Sequence, residues 1–234
     1  ELWICTRNQV SHYNSDYSLK KRYGNLIPAV PNNGINSIYE DHFGNIWVCT
    51  WGGGLYKYLK NTDTFMSFPT LGANNNPFKI FQDKDDQYWI LTWGDGIYRF
   101  HPDATEDRMY AHQEIFNEKL HQPETAFFSV VQDDVYGYIW IFGYHELYAF
   151  KVADGHLEKV DLSSYIFDYN KMFSQIIKDR EGNLWAGAYD SGYHLLMGNP
   201  AIANNFLPKL KRHVGFDTNI TTLGIDPNNG LWFN

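Results

Sequence analysis

Arg7, Trp51, Trp93, Tyr144 and Tyr189 each stand four residues after a tryptophan: Trp3, Trp47, Trp89, Trp140 and Trp185 in turn. One cation and four aromatic rings at a repeated position form a side-chain set suited to sugars. Flat rings cover the C–H patches of a pyranose while polar groups bond its hydroxyls. Asp95, His145, Glu146 and Asp190 follow along the same turns, differ from copy to copy, and are candidates for those polar groups. Asn32, Asn33, Asn74, Asn75 and Asn76 belong to loops expected at the same end of the molecule. The candidate ligand-binding set is therefore Arg7, Trp51, Trp93, Tyr144, Tyr189, Asp95, His145 and Asp190. A recurring aromatic can equally be packed against the glycine turn of the neighbouring repeat, and the sequence leaves both readings open.

Catalysis has the weaker case. A glycosidase needs two or three carboxylates at separations set by its mechanism. Asp95, Glu124, Glu146 and Asp190 can be proposed, but their spacing shows nothing beyond the repeat. The nine histidines include no His-x-His or His-Glu-x-x-His, so a metal site has no support. Gly52-Gly53-Gly54 joins two strands instead of opening a helix, so it is no phosphate loop. The sequon Asn219-Ile220-Thr221 lies at the start of an inner strand and is discounted. No catalytic residue, metal or cofactor is assigned.

The elements that position these residues are read from the tryptophans. Trp3, Trp47, Trp89, Trp140, Trp185 and Trp232 are separated by 44, 42, 51, 45 and 47 residues. Six residues before each of the last five stands an aspartate (Asp41, Asp83, Asp134, Asp179, Asp226). Nine before stands an aliphatic residue (Ile38, Ile80, Val131, Ile176, Leu223). Self-similarity at this period, with strand signals and almost no helical spacing, predicts an all-β fold: a β-propeller of four-stranded antiparallel blades.

Within one repeat, Gly34 to Asp41 reads as an alternating inner strand, A. Asp41-His42-Phe43-Gly44 supplies a hairpin loop with a capping Asp and a Gly suited to positive φ. Strand B runs from Asn45 to Trp51, Gly52-Gly53-Gly54 turns the chain, and Leu55 to Tyr58 and Phe65 to Phe68 are strands C and D. The aspartates of the A-to-B turns read as structural caps, because a function needed once would not be copied five times. Turns from B to C and loops from D to A should emerge at one end, which is why the residues above share a face. The blades are expected at residues 34–76, 77–125, 126–171 and 172–218, between partial blades at 1–33 and 219–234. The extra length of the 51-residue period is expected between Phe116 and Glu124. The chain opens and closes in a strand B, so the count predicts an arc of a larger ring and a natural protein that continues in both directions.

Composition narrows the function. Hydrophobic content of 44% with 18% aromatic residues is that of a packed globular protein and excludes disorder. A net charge of −8 and a pI near 5.5 argue against a nucleic-acid partner, which would need a basic stripe. The run Lys209-Leu210-Lys211-Arg212-His213 reads as a solvated outer strand. No run of 18 apolar residues exists, so this segment holds no membrane-spanning helix. Cys5 and Cys49 both follow their Trp by two residues and read as small buried hydrophobes.

The motif Ile-x-x-Ile-x-x-Asp-x-x-Gly-Asn-[Ile/Leu]-Trp-[Val/Ala]-x-[Thr/Ala]-x-x-x-Gly resembles the regulator-propeller repeat of the periplasmic sensor region of bacterial hybrid two-component systems, abundant in gut Bacteroidetes. The match is closest at residues 35–69 and 77–100, good at 173–196, and weaker at 127–150 and 219–234. The resemblance implies a non-enzymatic sensor segment whose seven-bladed propellers, typically two in tandem, precede a β-sandwich, a membrane helix, a histidine kinase core, a receiver and a DNA-binding domain. It implies a homodimer, an oligosaccharide ligand, and control of polysaccharide-utilisation genes. Alternatives are a propeller glycoside hydrolase or lyase, or a protein-interaction scaffold.

Overall fold

The computed structural model describes residues 1–24, 34–68, 76–94, 96–100, 116–117, 122–123, 126–134, 137–143, 146–160, 173–188, 192–197, 223–225 and 231–233. They form strands, turns and connecting segments, with no helix among the described residues. The chain divides into two compact units, Glu1–Ile115 and Phe116–Asn234.

In the first unit, β1 (Leu2–Thr6), β2 (Gln9–Tyr13) and β3 (Leu19–Gly24) form a three-stranded meander. β4 (Ile35–Glu40), β5 (Ile46–Thr50), β6 (Gly54–Leu59) and β7 (Thr64–Phe68) form a complete four-stranded blade. β8 (Pro77–Gln82), β9 (Tyr88–Thr92) and β10 (Ile97–Phe100) form the next sheet. The second unit opens with a short ribbon, β11 (Phe116–Asn117) paired with β12 (Gln122–Pro123). The stretch expected to be inserted thus pairs with itself. A four-stranded blade comes after it, β13 (Phe127–Asp133), β14 (Tyr138–Gly143), β15 (Leu147–Lys151) and β16 (His156–Lys159). β17 (Phe173–Lys178), β18 (Leu184–Ala188) and β19 (Gly192–Met197) come next, then the pair β20 (Leu223–Ile225) and β21 (Leu231–Phe233). All pairings are antiparallel between sequence neighbours, as short connections dictate.

The repeat tryptophans hold equivalent places. Trp47 pairs with Tyr39 and Lys57, Trp89 with Phe81 and Arg99, and Trp140 with Val131 and Ala149, each at the same depth of a second strand. Lys57 and Arg99 place their cations 5.0 and 5.1 Å from the centres of the Trp47 and Trp89 rings. β5 and β9 are buried along their whole length, and β5 has other sheets against both of its faces. Ile46 and Val48 pack with Val10, Tyr23, Tyr56 and Tyr58 toward the preceding sheet. Trp47 and Cys49 pack with Ile80, Tyr88 and Ile90 of the following one. Cys49 is a buried free thiol in that layer, and burial pushes its pKa up to about 12.

Strand A does not alternate cleanly, contrary to the sequence reading. A bulge interrupts β4, β8, β13 and β17 at one place, after Ile35, Pro77, Phe127 and Phe173. The extra residue shifts the facing of the residues after it. It also aims short polar side chains at the next inner strand: Asn36 Nδ2 donates to Pro77 O at 2.9 Å and Ser37 Oγ to Phe78 O at 2.8 Å.

The A-to-B turns show the expected cap and one departure. Gly44 closes its turn at φ +73°, with its N–H donating to Asp41 O at 2.9 Å. Asp86 takes the same place at φ +59°, which costs an L-residue about 1 kcal/mol. Its contacts to His42 and Gln82 involve an exposed carboxylate and contribute little. Asp86→Gly is therefore expected to raise stability by about 0.5–1 kcal/mol, read as a higher urea midpoint. Asp63, also at positive φ where the later blade has Gly155, should respond oppositely. Its carboxylate accepts from Lys21 Nζ at 2.7 Å, Tyr23 OH at 2.5 Å and Tyr58 OH at 2.8 Å, and these bonds, led by Lys21, hold its pKa below the usual range. Asp63→Gly loses all three, so a midpoint that rose for both variants would contradict the roles given to these turn residues.

Candidate ligand-binding face

Each second strand of the first unit's later sheets ends on a threonine that seals the next turn. Thr50 Oγ1 donates to Gly54 O at 2.6 Å and Thr92 Oγ1 to Gly96 O at 2.8 Å. The residue after each threonine is thereby pushed out of the strand. Trp51 N–H donates to Gly34 O at 2.8 Å and Trp93 N–H to Asn76 O at 3.0 Å, which ties each turn to the start of its own inner strand. Asn76 also joins neighbouring sheets, its Oδ1 accepting from Gly52 N–H at 2.6 Å.

Trp51 and Trp93 consequently meet. Their ring centroids lie 5.6 Å apart at an interplanar angle of 65°, an edge-to-face pair. Trp51 is 40% exposed and Trp93 half-buried. Arg7 holds the equivalent place one sheet earlier and is exposed. Its backbone O accepts from Ile35 N–H at 2.7 Å, and a Cβ built on Gly34 would lie 3.3 Å from Arg7 Cγ. A side chain at Gly34 would press on the Arg7 stem, which would have to give by a few tenths of an ångström. Three consecutive sheets of the first unit thus bring Arg7, Trp51 and Trp93 to one end.

Asp95, Tyr144, His145, Tyr189 and Asp190 lie outside the described residues, as do Glu124, Asn32, Asn33, Asn74 and Asn75. Glu146 is described and corrects the sequence reading. It sits at the foot of β15 with 4% exposure, its Oε1 3.9 Å from Lys159 Nζ, so it is not presented to the face. The turn there is one residue shorter than in the first complete blade.

The turn aspartates, at the other end of the strands, are structural and do more than cap. Asp41 Oδ1 accepts from Phe43 N–H at 3.0 Å and Asn45 N–H at 2.8 Å. Its Oδ2 accepts from Trp47 Nε1 at 2.8 Å and from Tyr88 OH of the next sheet at 2.6 Å. Burial alone would raise this carboxyl, but the bonds from Tyr88, Trp47 and Asn45 outweigh it and its pKa is lowered. Asp83 and Asp179 likewise accept the Trp89 and Trp185 indole N–H groups, at 2.8 and 2.7 Å. In the third repeat the acceptor is Asp133, not Asp134 as the spacing predicted: Trp140 Nε1 donates to Asp133 Oδ2 at 3.3 Å. The turn is one residue longer, with Gly137 four places after Asp133 where Gly44 is three after Asp41. Asp134 is left exposed, accepting from Gln132.

Residues 29–52 match the model of the two component regulator propeller. That stretch is similar to a two component regulator propeller repeat. That stretch spans the start of β4 through Trp51, so the regulator-propeller repeat itself delivers the first ring of the pair. No curated protein matches the chain by sequence. Among solved structures it is similar to the extracellular domain of BT4673 from B. thetaiotaomicron, described as a putative hybrid two component system. The identity is 17% over 99% of this chain and 29% of that one, with a TM-score of 0.70. The extracellular domain of BT3049 from the same organism matches at 18% identity over 99% and 30%, TM-score 0.69. The chain spans about 30% of the length of these relatives. It is also similar to virginiamycin B lyase from Staphylococcus aureus, at 14% identity over 99% and 72%, TM-score 0.68. Such likenesses establish the β-propeller fold. Since these neighbours of differing description score alike, the fold does not separate them.

Proposed function

We propose that this regulator-propeller segment belongs to the periplasmic ligand-sensing region of a hybrid two-component sensor histidine kinase of the inner membrane, recognising an oligosaccharide and controlling polysaccharide-utilisation genes. The observation that carries the reading is that the matched repeat presents Trp51 against Trp93 at the turn end of the first unit. An edge-to-face pair of partly exposed indoles offers two apolar faces at an angle, a surface that suits the C–H patches of successive sugar rings. The segment acts by binding, without turnover. A bound glycan can signal only by favouring one of two arrangements of a dimer, in proportion to its difference in affinity for the two.

Titration calorimetry of the protein against a panel of plant and host oligosaccharides tests this. The expected result is saturable heat with at least one glycan, at a Kd on the order of micromolar, corresponding to about −8 kcal/mol, and an intact glycan recovered afterwards. Absence of heat across the panel defeats the glycan reading. Recovery of cleaved product would move the protein to the lyase or hydrolase alternative, which the likeness to virginiamycin B lyase keeps in view.

A further inference from the structure

Resting on the glycan reading, we infer that the ligand of this face is an acidic oligosaccharide, one whose carboxylate or sulfate group is held by Arg7 while its sugar rings lie against Trp51 and Trp93.

The position of Arg7 carries the inference. The place four residues after the repeat tryptophan is aromatic in the next two sheets, and here alone in the first unit it is cationic. The side-chain stem lies against Gly34, with Cγ 3.3 Å and Nε 3.6 Å from where a Cβ would be, and Gly34 O holds the Trp51 N–H at 2.8 Å. The Arg7 stem and the Trp51 turn therefore meet at the same glycine.

The charge is also left unused by the protein. Among the described residues the guanidinium has no hydrogen-bond or ion-pair partner, in a chain with 27 acidic residues against 19 lysines and arginines. Two neighbouring cations are engaged instead, Lys20 with Glu1 at 3.1 Å and Lys21 with Asp63 at 2.7 Å. A planar fork of donors in a protein of net charge −8 is suited to bidentate recognition of an incoming anion. Surrounding negative charge then disfavours anionic ligands that lack the aromatic contacts.

Matched ligand pairs test this. Galacturonic-acid oligomers are titrated against their methyl esters, and sulfated galactose oligomers against the unsulfated forms, with wild type, Arg7→Met and Arg7→Lys. Met keeps an apolar stem over Gly34 and removes the charge. In wild type the acidic member of one pair should bind about tenfold tighter or more, and that preference should weaken as sodium chloride rises. The pair showing the preference identifies carboxylate or sulfate as the group held. In Arg7→Met the preference should fall to near unity, and Arg7→Lys should keep only part of it. Equal binding of acidic and neutral members to wild type, or a preference that survives in Arg7→Met, overturns the assignment while leaving the glycan reading intact. No binding by any member of either pair, or of the wider panel, overturns both.

Discussion

Asp41→Ala is expected to destabilise the first unit by about 3–5 kcal/mol, a large share of the roughly 5–15 kcal/mol that holds a domain folded. The carboxylate is buried and accepts backbone, indole and phenol donors together. Removing it leaves the Trp47 indole N–H and the Tyr88 hydroxyl without their acceptor, in a layer between two sheets that is closed to solvent. The same change at Asp83, whose carboxylate bonds tie together residues of its own sheet, should cost less. Tyr88→Phe isolates the bond between sheets and should cost about 1–2 kcal/mol. Because the Asp41 pKa is lowered by folding, its contribution is fully present above the unfolded-chain value near ~3.9. It disappears as pH falls through the lower folded value. Urea unfolding of the three variants at neutral pH and at pH values below about 4 gives the ordering. An Asp41→Ala protein no less stable than Asp83→Ala, or one with undiminished acid sensitivity, would contradict the role given to Asp41.

How far this architecture can be read from the chain depends on which interactions lie within one repeat. The hairpin from Asp41 to Trp47 is local, so the spacing of Asp, Gly and Trp announces both the turn and the strands it joins. The bond from Asp41 to the Trp47 indole spans six residues and is within reach of the same count. Tyr88 is different, since its partner is 47 residues away. A signal exists: Tyr88 stands where other repeats have Ile46, Ile139 and Leu184, an odd polar tip at a buried position. The bulge after Ile35 leaves no such trace, because it answers to the approach of the next inner strand and not to any local turn residue. Counting back from a tryptophan misplaces the cap at Asp134 because it assumes a loop of fixed length. Glu146 is misplaced for a related reason, as it is numbered along a turn one residue shorter than its relatives. At the candidate face, the shared end for Trp51 and Trp93 comes from the repeat itself, whereas the seat of Arg7 on Gly34 depends on two sheets meeting.

Trp93→Ala is expected to weaken glycan binding by about 30-fold or more while leaving the fold in place. The two readings of the repeated aromatics make opposite forecasts here. If Trp93 is a packing residue for the turn of its neighbour, truncation exposes the Trp51 edge and opens a cavity, so Tm falls by several degrees and the heat of binding persists. If it is a sugar platform, its polar surroundings are already tied by backbone bonds independent of the ring: Trp93 N–H to Asn76 O and Gly52 N–H to the Asn76 side chain. Those bonds survive the substitution, the turn keeps its shape, and the loss is confined to the ligand. Trp51→Ala should behave alike with a smaller stability change, since 40% of Trp51 already faces solvent. Because the ring centroids lie only 5.6 Å apart, the two losses should not add: the double variant should fall short of their sum by about 0.5–1.5 kcal/mol. Calorimetry and thermal unfolding of the two single variants and the double variant measure all of these together. Wild-type affinity in the double variant would remove the aromatic pair from the binding site, and a collapse of Tm without loss of affinity would assign it to packing.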